Sequence, residues 1–144
     1  MIVAVHALTG AAIGRLCAKP GRAFALGALS HLIADHLPHL DLDPAPESLL
    51  AAAALGFVAT SQGSDSPEFA GAVGAVAPDL ENAVARAAGL PEDRLLLPTH
   101  NRYHGRKTRS FAPQVLLAVG CLALLCFPRR RRCEDVPESG ISTR

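Results

Sequence analysis

The chain has no tryptophan, one tyrosine and only 4% aromatic residues in 144. A chain built that way has no aromatic belt with which to anchor at a membrane interface. Large β-branched and aromatic side chains give way to alanine, leucine and glycine, which favours helix packed closely on helix and argues against a β-rich fold. The four cysteines, Cys17, Cys121, Cys126 and Cys133, form no CxxC pair, and three of them lie in or beside apolar stretches. They read as reduced small hydrophobes, with no disulfide or zinc framework among them. Net charge is +1, which gives no reason to expect a nucleic-acid partner. The first residues lack a basic segment and a small-residue cleavage site, so no cleavable signal peptide is expected.

Long hydrophobic runs are also missing. The longest apolar stretches run to about 14, 11 and 15 residues, below the 17 or so at the lower end of a membrane span. They are nevertheless apolar all round, without the polar face of an ordinary surface helix. The expectation is therefore an all-α bundle of about five helices, membrane-embedded, over residues 1–128. A basic flank at 129–132 and a disordered tail, poor in large apolar side chains, follow it. Helices are expected over residues 2–17, 22–37, 47–60 and 67–88, and from Thr99 towards Phe127. Pro20, Pro38, Pro44 and Pro98 punctuate them, and Pro78 kinks or breaks the fourth. Ser66, Pro67 and Glu68 make a good helix start.

What the chain does have is a concentration of metal-ligating side chains beside apolar segments. Residues 30–43 hold His31, His36 and His39, together with Asp35, Asp41 and Asp43. His6 stands near the start, and His100 and His104 are four apart. Imidazole and carboxylate are the usual ligands of zinc and related ions. His31 and Asp35 are four apart as well, so they share a helix face. Asp79 and Glu81 follow Pro78, where a new helix start would favour carboxylates. If consecutive helices alternate in direction, His6, the 31–41 stretch, Asp79 with Glu81, and His100 with His104 all fall at one end of the bundle. That parity makes one candidate site for one or two ions.

The run from Ser30-His31 through Asp35 to Pro38-His39-Leu40-Asp41 resembles the S-H-x-x-x-D…P-H-x-D signature of small bacterial integral-membrane proteins related to the membrane-bound metal-dependent hydrolases. His6 with Gly10 fits their H-x-x-x-G, residues 74–81 their G-x-x-x-P-D-x-D with Glu81 for the last aspartate, and His100 with His104 their H-x-x-x-H. More distantly the pattern is similar to zinc-dependent phospholipase C. The resemblance spans roughly residues 1–110 and implies a multi-pass protein of the bacterial inner membrane with a divalent-metal site. The metal ligands would be drawn from His6, His31, Asp35, His39, Asp79, His100 and His104, and zinc, manganese or iron would be the ion.

Two functions compete. In a hydrolase acting on a phosphate ester or membrane lipid, the ion would activate water, Asp41 or Glu81 would serve as general base, and Arg102, Arg106 or Lys107 would hold phosphate. In a non-catalytic membrane protein, the metal would staple the bundle through a closed shell of ligands. A third reading, a soluble helical interaction domain, leaves the histidines incidental. Positive charge divides almost evenly between the two ends of the bundle, and the orientation inferred from it puts the site outside the cytoplasm.

Overall fold

The computed structural model describes residues 1–91 and 110–128. Five helices make up the fold: α1 Val3–Gly14, α2 Pro20–Asp35, α3 Pro44–Gln62, α4 Pro67–Ala87 and α5 Ala112–Cys126, with no β-strand among the described residues. Proline sits in the first turn of four of them, where its missing N–H costs nothing and its fixed φ suits the helix. This is why α2 and α3 begin at Pro20 and Pro44 themselves, earlier than their sequence suggests. Ser66 caps α4 by accepting the Phe69 N–H at 3.0 Å. Gly63 ends α3 at φ 95° and Gly89 follows α4 at φ 63°, in the left-handed region glycine adopts without strain.

One expectation is corrected at Pro78. It does not break the fourth segment, and α4 runs through it unbroken. A proline inside a helix removes one hydrogen bond, here to the Gly74 carbonyl. Packing of α4 on α1 and α2 outweighs that loss. Asp79 and Glu81 therefore lie within a helix and not at a helix start.

The helices alternate in direction. Gly10 meets Gly71 and Gly14 meets Pro67, so α1 and α4 are antiparallel. Gly27 lies on Gly71 while His31 reaches Ala75, so α2 and α4 run the same way. Glu47 and Gln114 meet the start of α1, whereas Gln62 and Arg15 meet the end of α5, so α1, α3 and α5 are parallel. The backbones of α1 and α4 touch: a Cβ on either Gly10 or Gly71 would overlap the other's carbonyl. The core is correspondingly made of small residues, with Ala7, Ala11, Ala54 and Ala72 around Leu8, Val58, Cys121 and Leu125. Leu29, Ile33, Leu116 and Val119 are among the large apolar side chains left exposed.

The membrane reading is overturned. No helix among the described residues is long and apolar enough to cross a membrane. With 12 and 15 residues, α1 and α5 span about 18 and 22 Å at 1.5 Å per residue, against a hydrocarbon core of about 30 Å. In α4, Glu68, Asp79, Glu81 and Arg86 interrupt the apolar sequence, and α3 is polar at both ends. The multi-pass placement in an inner membrane, and the extracytoplasmic orientation that depended on it, fall with this finding. His100, Arg102, His104, Arg106, Lys107, the helix start at Thr99 and the 129–144 tail lie outside the described residues.

Candidate metal centre

Three helices bring one side chain each to a common point. His6 of α1, His31 of α2 and Asp79 of α4 each offer a ligand atom, all within 4.8 Å of one another. Ligands of a tetrahedral zinc with bonds of about 2 Å sit roughly 3.3 Å apart, so modest side-chain rotation would close the set. His6 is 1% exposed and His31 0%, while the Asp79 side chain keeps 14% and opens the cluster to one side.

His31 is oriented by the backbone. Its Nδ1–H donates to the Ala75 carbonyl at 2.9 Å. A carbonyl cannot donate, so this contact fixes the proton on Nδ1 and turns Nε2 towards the carboxylates. Nε2 lies 3.3 Å from Asp35 Oδ2 and 3.8 Å from Asp79 Oδ1. That nitrogen thus faces oxygens of two carboxylates. Only a proton or a metal cation at that point makes the arrangement favourable.

His6 carries the complementary demand. Its Nε2 is 3.0 Å from Asp35 Oδ1, and its Nδ1, fully buried, has no hydrogen-bond partner. Burial pushes its pKa down to about 4, against the upward pull of the Asp35 hydrogen bond and with the help of nearby His31. The ring is therefore neutral at neutral pH. With the proton on Nε2, Nδ1 is an unused buried lone pair; with the proton on Nδ1, that N–H has no acceptor and Nε2 faces a carboxylate oxygen. Each tautomer leaves one polar group unmet. The two imidazoles stack with centroids 4.1 Å apart.

Asp35, 5% exposed, joins these rings to a second group. Its Oδ1 also accepts from the Met1 ammonium at 2.9 Å, and that ammonium lies 3.3 Å from Asp41 Oδ1. Asp41 Oδ1 is in turn 3.2 Å from Nε2 of His39, whose Nδ1–H donates to the Leu37 carbonyl at 2.7 Å. His39 and Asp41 thus neighbour the triad through Asp35 and do not belong to it. His36 is exposed and donates to the Leu32 carbonyl of its own helix. Glu81 is half-buried two residues beyond Asp79. Positions two apart on a helix do not share a face, so it does not join Asp79 at the cluster. His100, His104, Arg102 and Arg106 lie outside the described residues.

Some polar residues at this end were not anticipated from sequence. Gln114 is 3% exposed, Asn82 is 9% exposed and donates to the Pro78 carbonyl, and Glu47 accepts the Val3 N–H at 3.0 Å. Gln114 had a sequence signal: it is the one polar side chain in α5. Searches against protein-family models, curated proteins and solved structures find no match for this chain.

Proposed function

We propose that His6, His31 and Asp79, supported by Asp35, bind a divalent metal, most favourably zinc with manganese or iron as alternatives, and that the protein is a metal-dependent hydrolase of phosphate esters. The observation that carries the metal reading is the His31 tautomer: Nδ1–H is committed to Ala75, and Nε2 faces two carboxylates. Two imidazoles and a carboxylate are a zinc-type donor set that leaves a fourth position for solvent or substrate. When bound, such an ion lowers the pKa of water and polarises a phosphoryl oxygen. Asp35 would hold both imidazoles in place, and Asp41, joined to Asp35 by the Met1 ammonium, would be the general base at the rim. The hydrolase reading rests on the motif resemblance set out above together with this donor set.

A second reading, a structural staple, is favoured by the burial of His6 and His31 at the junction of α1, α2 and α4. The two separate in one experiment. Metal content is measured in purified wild type, His6→Ala and His31→Ala, alongside hydrolysis of a p-nitrophenyl phosphodiester. Stoichiometric zinc-type metal in wild type, its loss in folded variants and parallel loss of hydrolysis support the enzyme. Metal binding without hydrolysis, with variants that unfold, supports the staple. A wild type that takes up no divalent metal refutes both.

A further inference from the structure

Of the two helices that bring no candidate ligand to the described site, α5 sends one buried amide to the segments beside it. Gln114 opens the second half-turn of α5, whose other residues are all nonpolar. Its Oε1 accepts the Ile2 N–H at 3.0 Å, and its Nε2 donates to the Leu40 carbonyl at 3.0 Å. The partners fix the amide's orientation, since the reverse would set oxygen against oxygen and N–H against N–H. The Ile2 N–H is one of the donors that the start of α1 leaves without an intrahelical acceptor. It lies one helical turn before His6. Leu40 separates His39 from Asp41. One side chain therefore ties the helix that carries His6 to the loop that carries His39 and Asp41, and the Met1 ammonium links Asp41 of that loop to Asp35, which faces His6.

We propose that Gln114 is a positioning residue for the metal centre. It sets the height of α1, and hence of His6, against the 38–43 loop, so that Asp35 faces the His6 ring on one side and the Met1–Asp41 group on the other. Glu47 holds the next amide, Val3, from α3, whereas Gln114 joins the start of α1 to the loop through the backbone of both, alongside the Met1–Asp41 ion pair. Groups hydrogen-bonded directly to ligands are commonly worth about 10- to 100-fold in metal affinity, and Gln114, one contact further out, belongs at the lower end of that range. The inference rests on the metal reading above.

The test is zinc affinity, measured by competition with a chromophoric chelator, for wild type, Gln114→Met and Gln114→Glu, with urea midpoints of the metal-free proteins taken in parallel. Methionine keeps the length and apolar volume and loses both hydrogen bonds. Glutamate keeps an acceptor for Ile2 and loses the donor to Leu40. Zinc binding about 10-fold or more weaker in Gln114→Met, with Gln114→Glu between it and wild type, is the expected result. If Gln114→Met does not fold, weaker zinc binding by folded Gln114→Glu carries the same conclusion. A merely structural glutamine would lower the urea midpoints and leave zinc affinity of the folded variants within twofold of wild type, and that outcome overturns the proposal while the metal reading stands. Failure of wild type to bind zinc, manganese or iron overturns the metal reading and this proposal with it.

Discussion

His6 and His31 stack ring on ring, 4.1 Å between centroids and 29° between planes, and both reach the same carboxylate, Asp35. One oxygen of Asp35 serves each ring. Asp35→Asn should therefore weigh much more on the metal-bound protein than on the metal-free one. An amide N–H placed at the Oδ2 position would donate to the His31 lone pair and satisfy it without a cation. Zinc affinity should fall by about 10- to 100-fold, as for other losses of ligand support. Stability of the metal-free protein should fall far less than a lost buried charge would suggest. Calorimetric zinc titration and urea unfolding, run on the same preparations, check both halves.

Acid should destabilise the metal-free protein before its carboxylates titrate. His6 has a pKa near 4 in the folded state against 6.5 for an ordinary histidine. Between those values the unfolded chain binds a proton that the folded one refuses, so stability is complete above pH 6.5 and drains away as the pH falls towards 4. The loss amounts to about 3 kcal/mol at an exchange of 1.36 kcal/mol per pKa unit. Urea midpoints at pH 7, 5.5 and 4.5 measure it. His6→Phe should flatten that slope, and an unchanged slope would remove His6 as its cause.

Two glycine substitutions should move stability in opposite directions. A Cβ on Gly27 would run into the Gly71 carbonyl and the Ala75 backbone, with no flexible side chain available to yield. Gly27→Ala should cost about 1–3 kcal/mol as overpacking. Gly56, exposed in the middle of α3, has open space where its Cβ would go. Gly56→Ala should stabilise by about 0.5–1 kcal/mol through helix propensity and a less flexible unfolded chain. Thermal unfolding of the two variants beside wild type decides the matter.

Ser66 accepts the Phe69 N–H at the start of α4, the helix that delivers Asp79. Ser66→Ala should cost about 1 kcal/mol, the usual worth of such a cap. Because the cap is more than three turns from Asp79, zinc affinity should stay within twofold of wild type. A large fall in affinity would show that fraying at the start of α4 reaches the metal centre.

The five helices are legible in the sequence because proline and glycine punctuate it so heavily, and their alternating directions follow from order alone. The pairing of His31 with Asp35 is legible too, through four-residue spacing. What sequence could not supply was context. Pro78 reads as a kink or a break because a proline is unfavourable inside a helix; α4, packed on α1 and α2, runs through it without a break. The apolar runs suggested a membrane because they lack a polar face, yet the helices they form are too short or too interrupted to span one. Gln114 is a single amide in an apolar helix, and nothing local says that its partners lie 112 and 74 residues away.

The touching backbones of Gly10 and Gly71 act as a detent between α1 and α4. His6 sits one turn before that notch on one helix, and Asp79 two turns beyond it on the other. Sliding α4 by one residue would carry Asp79 about 1.5 Å along and 100° around the axis, away from both imidazoles. A one-residue slide is blocked, because Thr9, Ala11, Ala70 and Ala72, which flank the two glycines, each carry a Cβ where the carbonyls approach. Ligand spacing in this protein is thus digital. Damage at the α1–α4 seam should produce molecules with the full site or with none of it, and a binding curve whose amplitude shrinks while its midpoint stays put.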